Sequence, residues 1–155
     1  MVHRKRVLSA LTFMVVVAVI GAPTAFSATM TQDSQFSNVP VTNDCTGDTI
    51  LMSGTLHSVM GFSTNPNGMT HTTMDFTVHA TGVGQITGLN YVINDNSHQE
   101  TNTRGVAQEQ YMGTKMKMIS QGPAPNLTDR ITLHVVIDSN NNTKVEKASE
   151  TITCK

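Results

Sequence analysis

The chain has no tryptophan, five phenylalanines, two tyrosines, two cysteines and five prolines in 155 residues, and only 14% of its residues are charged. Each shortage excludes something. Ten Lys and Arg against eleven Asp and Glu give a net charge of -1, so there is no basic surface to hold nucleic-acid phosphates. Beyond residue 27 the aromatics are Phe36, Phe62, Phe76, Tyr91 and Tyr111, too few for the two aromatic girdles of an outer-membrane barrel. No Gly-x-Ser-x-Gly elbow and no phosphate-binding loop occurs, and Gly82 and Gly84 do not open a helical pattern, so the common hydrolase and nucleotide signatures are absent. What is present is a 38% hydrophobic chain, long enough for one domain and too apolar to be disordered by composition.

Residues 3–6 read His-Arg-Lys-Arg, and an apolar run of sixteen residues follows over 7–22, broken by Pro23 and ending in the small residues Ala25, Ser27 and Ala28. A basic start, a short apolar centre and a small-x-small exit describe a secretory signal peptide over 1–27. The run is shorter than the roughly 20 residues of a membrane span, so no integral membrane segment is expected after cleavage. Removing Arg4, Lys5 and Arg6 leaves seven basic residues against eleven acidic ones, a net −4. The expected location is secreted or periplasmic. Residues 28–44, rich in Ser, Thr, Asn and Gln without periodicity, read as a flexible leader before the domain at 45–155.

Two cysteines in an exported chain read as a disulfide between Cys45 and Cys154. It closes a loop of 109 residues (154 − 45) and brings the first and last strands of the domain together. Between them the hydrophobic period is two. Ile50, Met52, Leu56 and Met60 alternate with polar residues, as do Met74, Phe76, Val78 and Ala80. Met112, Met116 and Met118 share one face of a later segment, and Ile131, Leu133, Val135 and Ile137 share one face of another. Loops are expected over 61–68, over 120–126 with its two prolines, and over the Asn-rich stretch 138–143. The fold expectation is all-β: an antiparallel meander of seven to eight strands closing as a small barrel or sandwich, with one disulfide.

Apolar pairing suggests a register for the first hairpin in which paired residue numbers sum to 130. Leu56 then meets Met74, Met52 meets Val78, and Phe76 covers Gly54. On the reverse face His57 lies opposite Thr73, with His71 and Asp75 as diagonal neighbours. Two imidazoles and a carboxylate suit a divalent metal, copper or zinc, with Met69 as a further soft ligand. The plainer reading is a solvated strand face. The methionines Met52, Met74, Met112, Met116 and Met118 line an apolar face, where flexible thioethers serve equally as core filler and as an adaptable wall for a small apolar ligand.

Several stretches carry a resemblance. They are Cys45-Thr-Gly-Asp48, Ser53-Gly-Thr-Leu-His57, the strand around His71, Gly82-Val-Gly-Gln-Ile-Thr-Gly-Leu-Asn-Tyr91, Ser120-Gln-Gly-Pro123 with Asn126, and His134-Val-Val-Ile-Asp138. Together they resemble a group of small secreted bacterial all-β proteins of unknown function. The resemblance implies export and an all-β fold, and it brings no activity, cofactor or site residue. Three functions fit the residues. The leading one is a non-enzymatic binding protein holding a small apolar ligand in a β-barrel interior. The others are metal handling through His57, His71 and Asp75, and a barrel isomerase or cyclase. The sequence assigns no catalytic residue and no oligomeric state.

Overall fold

The computed structural model describes residues 25–155. The expected signal peptide, apart from its last three residues, lies outside them. Seven antiparallel strands follow one another in a single sheet of order β1 to β7: β1 (Phe26–Asn43), β2 (Asp48–Thr64), β3 (Met69–Gly84), β4 (Asn90–Arg104), β5 (Ala107–Ser120), β6 (Leu127–Ile137) and β7 (Thr143–Cys154). The described residues contain no helix, and none long and apolar enough to cross a membrane. The all-β meander and the Cys45–Cys154 disulfide are therefore as the sequence indicates. Residues 28–44 differ from the leader expected there, because most of them form β1, paired with β2 along its length. Most of their side chains are polar because β1 is an edge strand, exposed over most of its length with Phe36 and Val41 packed against the core, and water-facing strands have no apolar alternation to show.

Turn chemistry sets the register of β2 on β3. Asn65 accepts backbone hydrogen bonds from Asn67 and Met69 on its side-chain oxygen and one from Gly68 on its carbonyl. Pro66 supplies a fixed φ at the following position, and Gly68 takes φ 73°, which only glycine enters without strain. This four-residue turn pairs Thr64 with Thr70, and so fixes a sum of 134 down the ladder. The expected sum of 130 is thus corrected by two residues on each strand. Both sums are even, so each residue keeps its face while its neighbours change. Gly54 lies between Ala80 and Phe36 rather than under Phe76. A Cβ at Gly54 would collide with the carbonyl oxygen of His79 and come within 2.6 Å of the Ala80 Cα.

The disulfide determines the sheet's shape. In a flat sheet, six spacings of about 4.8 Å would hold the edge strands β1 and β7 about 29 Å apart. Cys45, just past β1, and Cys154, ending β7, have Cα atoms 5.7 Å apart, so the sheet curls strongly at that end. Odd-numbered strands run towards this end, and the turns leaving β1, β3 and β5 gather there. Asp48 fastens two of them. Its carboxylate accepts hydrogen bonds from the Ile86 and Thr87 backbone amides at 2.9 and 3.2 Å and from the Thr87 hydroxyl at 2.6 Å. The curl encloses the core, Ile50, Met52, Ala80, Tyr91, Ile93, Met118 and Leu127. Partner to partner across the ladders, these residues lie on one face, called the inner face below. β1 and β7 do not pair with each other, so the sheet is a curled, unclosed trough.

Candidate functional site

Beyond the core the inner face continues towards the open end, where its side chains are only partly buried. On β2 and β3 it presents Met60, Phe62, Met74 and Phe76, and on β5 and β6 it presents Met112, Leu133 and Val135. These residues are half-buried, apart from Phe62 at 37% exposed. Between the two apolar walls β4 contributes Ser97, Gln99, Thr101 and Thr103 on the same face. The result is an apolar trough with a polar stripe along its floor. The five methionines named from the sequence all lie on this face, with different roles. Met52 and Met118 are core, at 8% and 0% exposed. Met116 packs against the core, whereas Met74 and Met112 lie further along, in the open part.

Where core meets trough, two carboxylates face inward. Asp95 and Asp129 lie opposite Met116 from its two sides, and one oxygen of each is buried without a hydrogen-bond partner in the chain, as are the Tyr91 hydroxyl and the Asn43 amide nitrogen. Burial pushes the Asp95 carboxyl above its ordinary range, with the charge of Asp129 adding to the effect. Burial does the same to Asp129, helped by Glu150 and Asp44. A carboxyl whose pKa is higher folded than unfolded binds protons more tightly in the folded state. Stability therefore rises as pH falls through the raised value, and the cost is fully present above it. We expect Asp95→Asn to raise the thermal midpoint at about pH 7 and the gain to shrink as pH falls through the raised value, where the wild-type carboxyl takes up its proton. Melting curves across that range check it, and a gain independent of pH would contradict it. Asp48 behaves oppositely. The Thr87 hydroxyl holds its carboxyl below the usual range, so its contribution is lost only as pH falls through that lowered value.

The outer face carries all five histidines of the described residues, each bonded across the ladder. His57 meets Asp33 at 2.6 Å, His71 meets Asn102 at 2.7 Å, His79 meets Asn94 at 2.8 Å, His98 meets Asp75 at 2.7 Å and His134 meets Glu109 at 3.0 Å. The expected convergence of His57, His71 and Asp75 is therefore corrected. In the true register His57 lies opposite Thr77, and His71 lies opposite Ser63. Six residues of strand separate those positions, about 20 Å. Asp75 is diagonal to His57 but turns to His98. Met69 begins β3, 39% exposed. Among the described residues no group of three His, Cys, Asp or Glu side chains is placed to hold a metal ion. The three pairs with carboxylates lie at the surface, where such pairs contribute little to stability.

A shallow depression of about 560 Å³ also opens on the outer face near Leu51, Thr81, Val83 and Val92. It is wide open to solvent and has no charged side chain in its wall. The sequence reading missed Asp95 and Asp129. The available signal was their parity, since Asp95 continues the series Tyr91, Ile93, and Asp129 separates Leu127 from Ile131. No family model, curated protein or solved structure matches the chain.

Proposed function

We propose that the protein is an exported, non-catalytic binding protein that holds a small apolar molecule in the open half of the trough. The observation that carries this reading is the half-buried apolar run Met60, Phe62, Met74 and Phe76, with Met112, Leu133 and Val135, on the same face that is fully packed a few residues away. Apolar walls with a few polar groups between them are the usual make-up of a small-molecule site. Methionine adapts its shape to an irregular guest. The disulfide fits export, because such bonds persist in oxidising compartments. The histidines and their partners belong to the opposite face and take no part.

N-Phenyl-1-naphthylamine, a small uncharged fluorophore that brightens in apolar surroundings, tests the reading. Saturable enhancement is expected with the parent protein. Phe76→Asp should weaken it at least about tenfold, since a charge would be buried against the guest. Ile119→Asp, on the outer face, should leave it unchanged. The absence of saturable binding to the parent, or equal loss in both variants, would overturn the proposal.

A further inference from the structure

The two edges of the sheet are unlike. β7 carries Lys144, Glu146, Lys147 and Glu150 in twelve residues, and its pairing with β6 shifts register beside Ile137. Charges and irregular pairing are the usual means of keeping an edge strand from recruiting another strand. The first part of β1 has a single charge and no irregularity. From Phe26 to Phe36 its pairing with β2 is unbroken. Residues 28–36 read Ala-Thr-Met-Thr-Gln-Asp-Ser-Gln-Phe, with no proline or lysine, and the one charge, Asp33, is engaged by His57. The irregularity of β1 comes only afterwards, between Phe36 and Val39, where Asn38 takes φ 55°. Met30 is 60% exposed on the inner face of this edge.

We propose that residues 28–36 form a symmetric interface with a second copy of this chain, two β1 strands pairing antiparallel to give a continuous fourteen-stranded sheet. The segment is self-complementary. A two-fold axis at Gln32 sets Met30 opposite Ser34 and Ala28 opposite Phe36 of the partner copy, joining inner face to inner face. It also sets Asp33 opposite Thr31, which keeps the two acids apart; an axis at Asp33 itself would oppose like charges. Each free backbone group gains a partner, and the exposed Met30 is shared between two inner faces. The contact is isologous and closes at two copies, because the charged β7 edges remain outside it. It uses no residue before Ala28, so removal of residues 1–27 leaves it intact.

Sedimentation velocity on the protein at concentrations on the order of 100 µM, where edge contacts of modest affinity populate, should give twice the mass of the chain. Gln32→Lys places two like charges on the axis, at an exposed position that costs the fold little, and should raise the dissociation constant at least about tenfold. Gln32→Cys gives an independent readout. Residues directly opposite in an antiparallel pair have Cα atoms about 4.5–5.5 Å apart, within disulfide range, so this variant should form a covalent dimer under mild oxidation. Ser149→Cys on the β7 edge should not. A monomer at every concentration, equal cross-linking of the two cysteine variants, or assemblies growing past two copies would each overturn the proposal.

Discussion

Replacing both Cys45 and Cys154 by serine is expected to lower the thermal midpoint by about 15 °C. The bridge closes a 109-residue separation, and cross-linking a loop of that length removes chain entropy from the unfolded state worth about 4–5 kcal/mol. For a domain of this size, about 1 kcal/mol moves the midpoint by roughly 3–4 °C. The folded state adds a second reason for a large effect. β1 and β7 share no ladder, so this bond joins the two edges of the curl directly. Without it, the sheet can relax towards a flatter form and expose Ile50, Tyr91 and Leu127, which are 0%, 1% and 1% exposed in the intact protein. Thermal melts of the serine double variant, and of the parent with and without a reductant, measure this. A loss under about 3 °C would mean that the β-ladders alone hold the curl.

The second large effect is expected at Ile93. Truncation to alanine should cost about 3 kcal/mol and lower the midpoint by about 10 °C. Ile93 is 1% exposed and sits on β4 directly between Ala80 on β3 and Met118 on β5. Alanine already occupies one of these flanks, so no long side chain on that side can swing in to fill the void, and a void that cannot collapse is the costly kind. Ile119, one position beyond Met118 on β5, is the control. Its parity sends it to the outer face, opposite Val92, where it is 38% exposed, and Ile119→Ala should change stability by no more than about 0.5 kcal/mol. Chemical denaturation of the two variants decides the matter. Equal losses would mean that the inner face is not the core.

Much of this arrangement was written in the chain, and particular residues show how. Period-two alternation at Ile50, Met52 and Leu56, and at Met74, Phe76, Val78 and Ala80, identified the strands and assigned each residue to its correct face, because side chains alternate by backbone geometry alone. Asp138 with the asparagines after it marked a turn that the structure contains, with Asn141 at φ 61°. Two cysteines implied one bond. What alternation does not carry is which residue faces which. Apolar pairing suggested the sum 130, but it does not exclude 134, since both keep Met, Val and Leu on one side. The choice fell to Asn65-Pro66-Asn67-Gly68, whose hydrogen bonds and positive φ permit one turn geometry. That shift of two residues on each strand carried His57 away from His71, while the histidines found their partners across the other ladders, β1 with β2, β3 with β4 and β5 with β6.

Edge and curvature lay further still from the sequence. Nothing in a polar run such as residues 28–44 separates an unstructured leader from an exposed edge strand, because in both water solvates the side chains and only pairing with β2 makes the strand. Nor does a bond between Cys45 and Cys154 state by itself whether a sheet closes. That depends on how twist and side-chain size add up over six ladders, a sum no local pattern contains. The sequence by itself determined the strands after Asp48, the shared faces of β2, β3, β5 and β6, and the covalent tie. Only the tertiary structure decided the register, the unclosed trough and the meeting of Asp95 and Asp129 about Met116, because these depend on contacts between residues far apart in the chain.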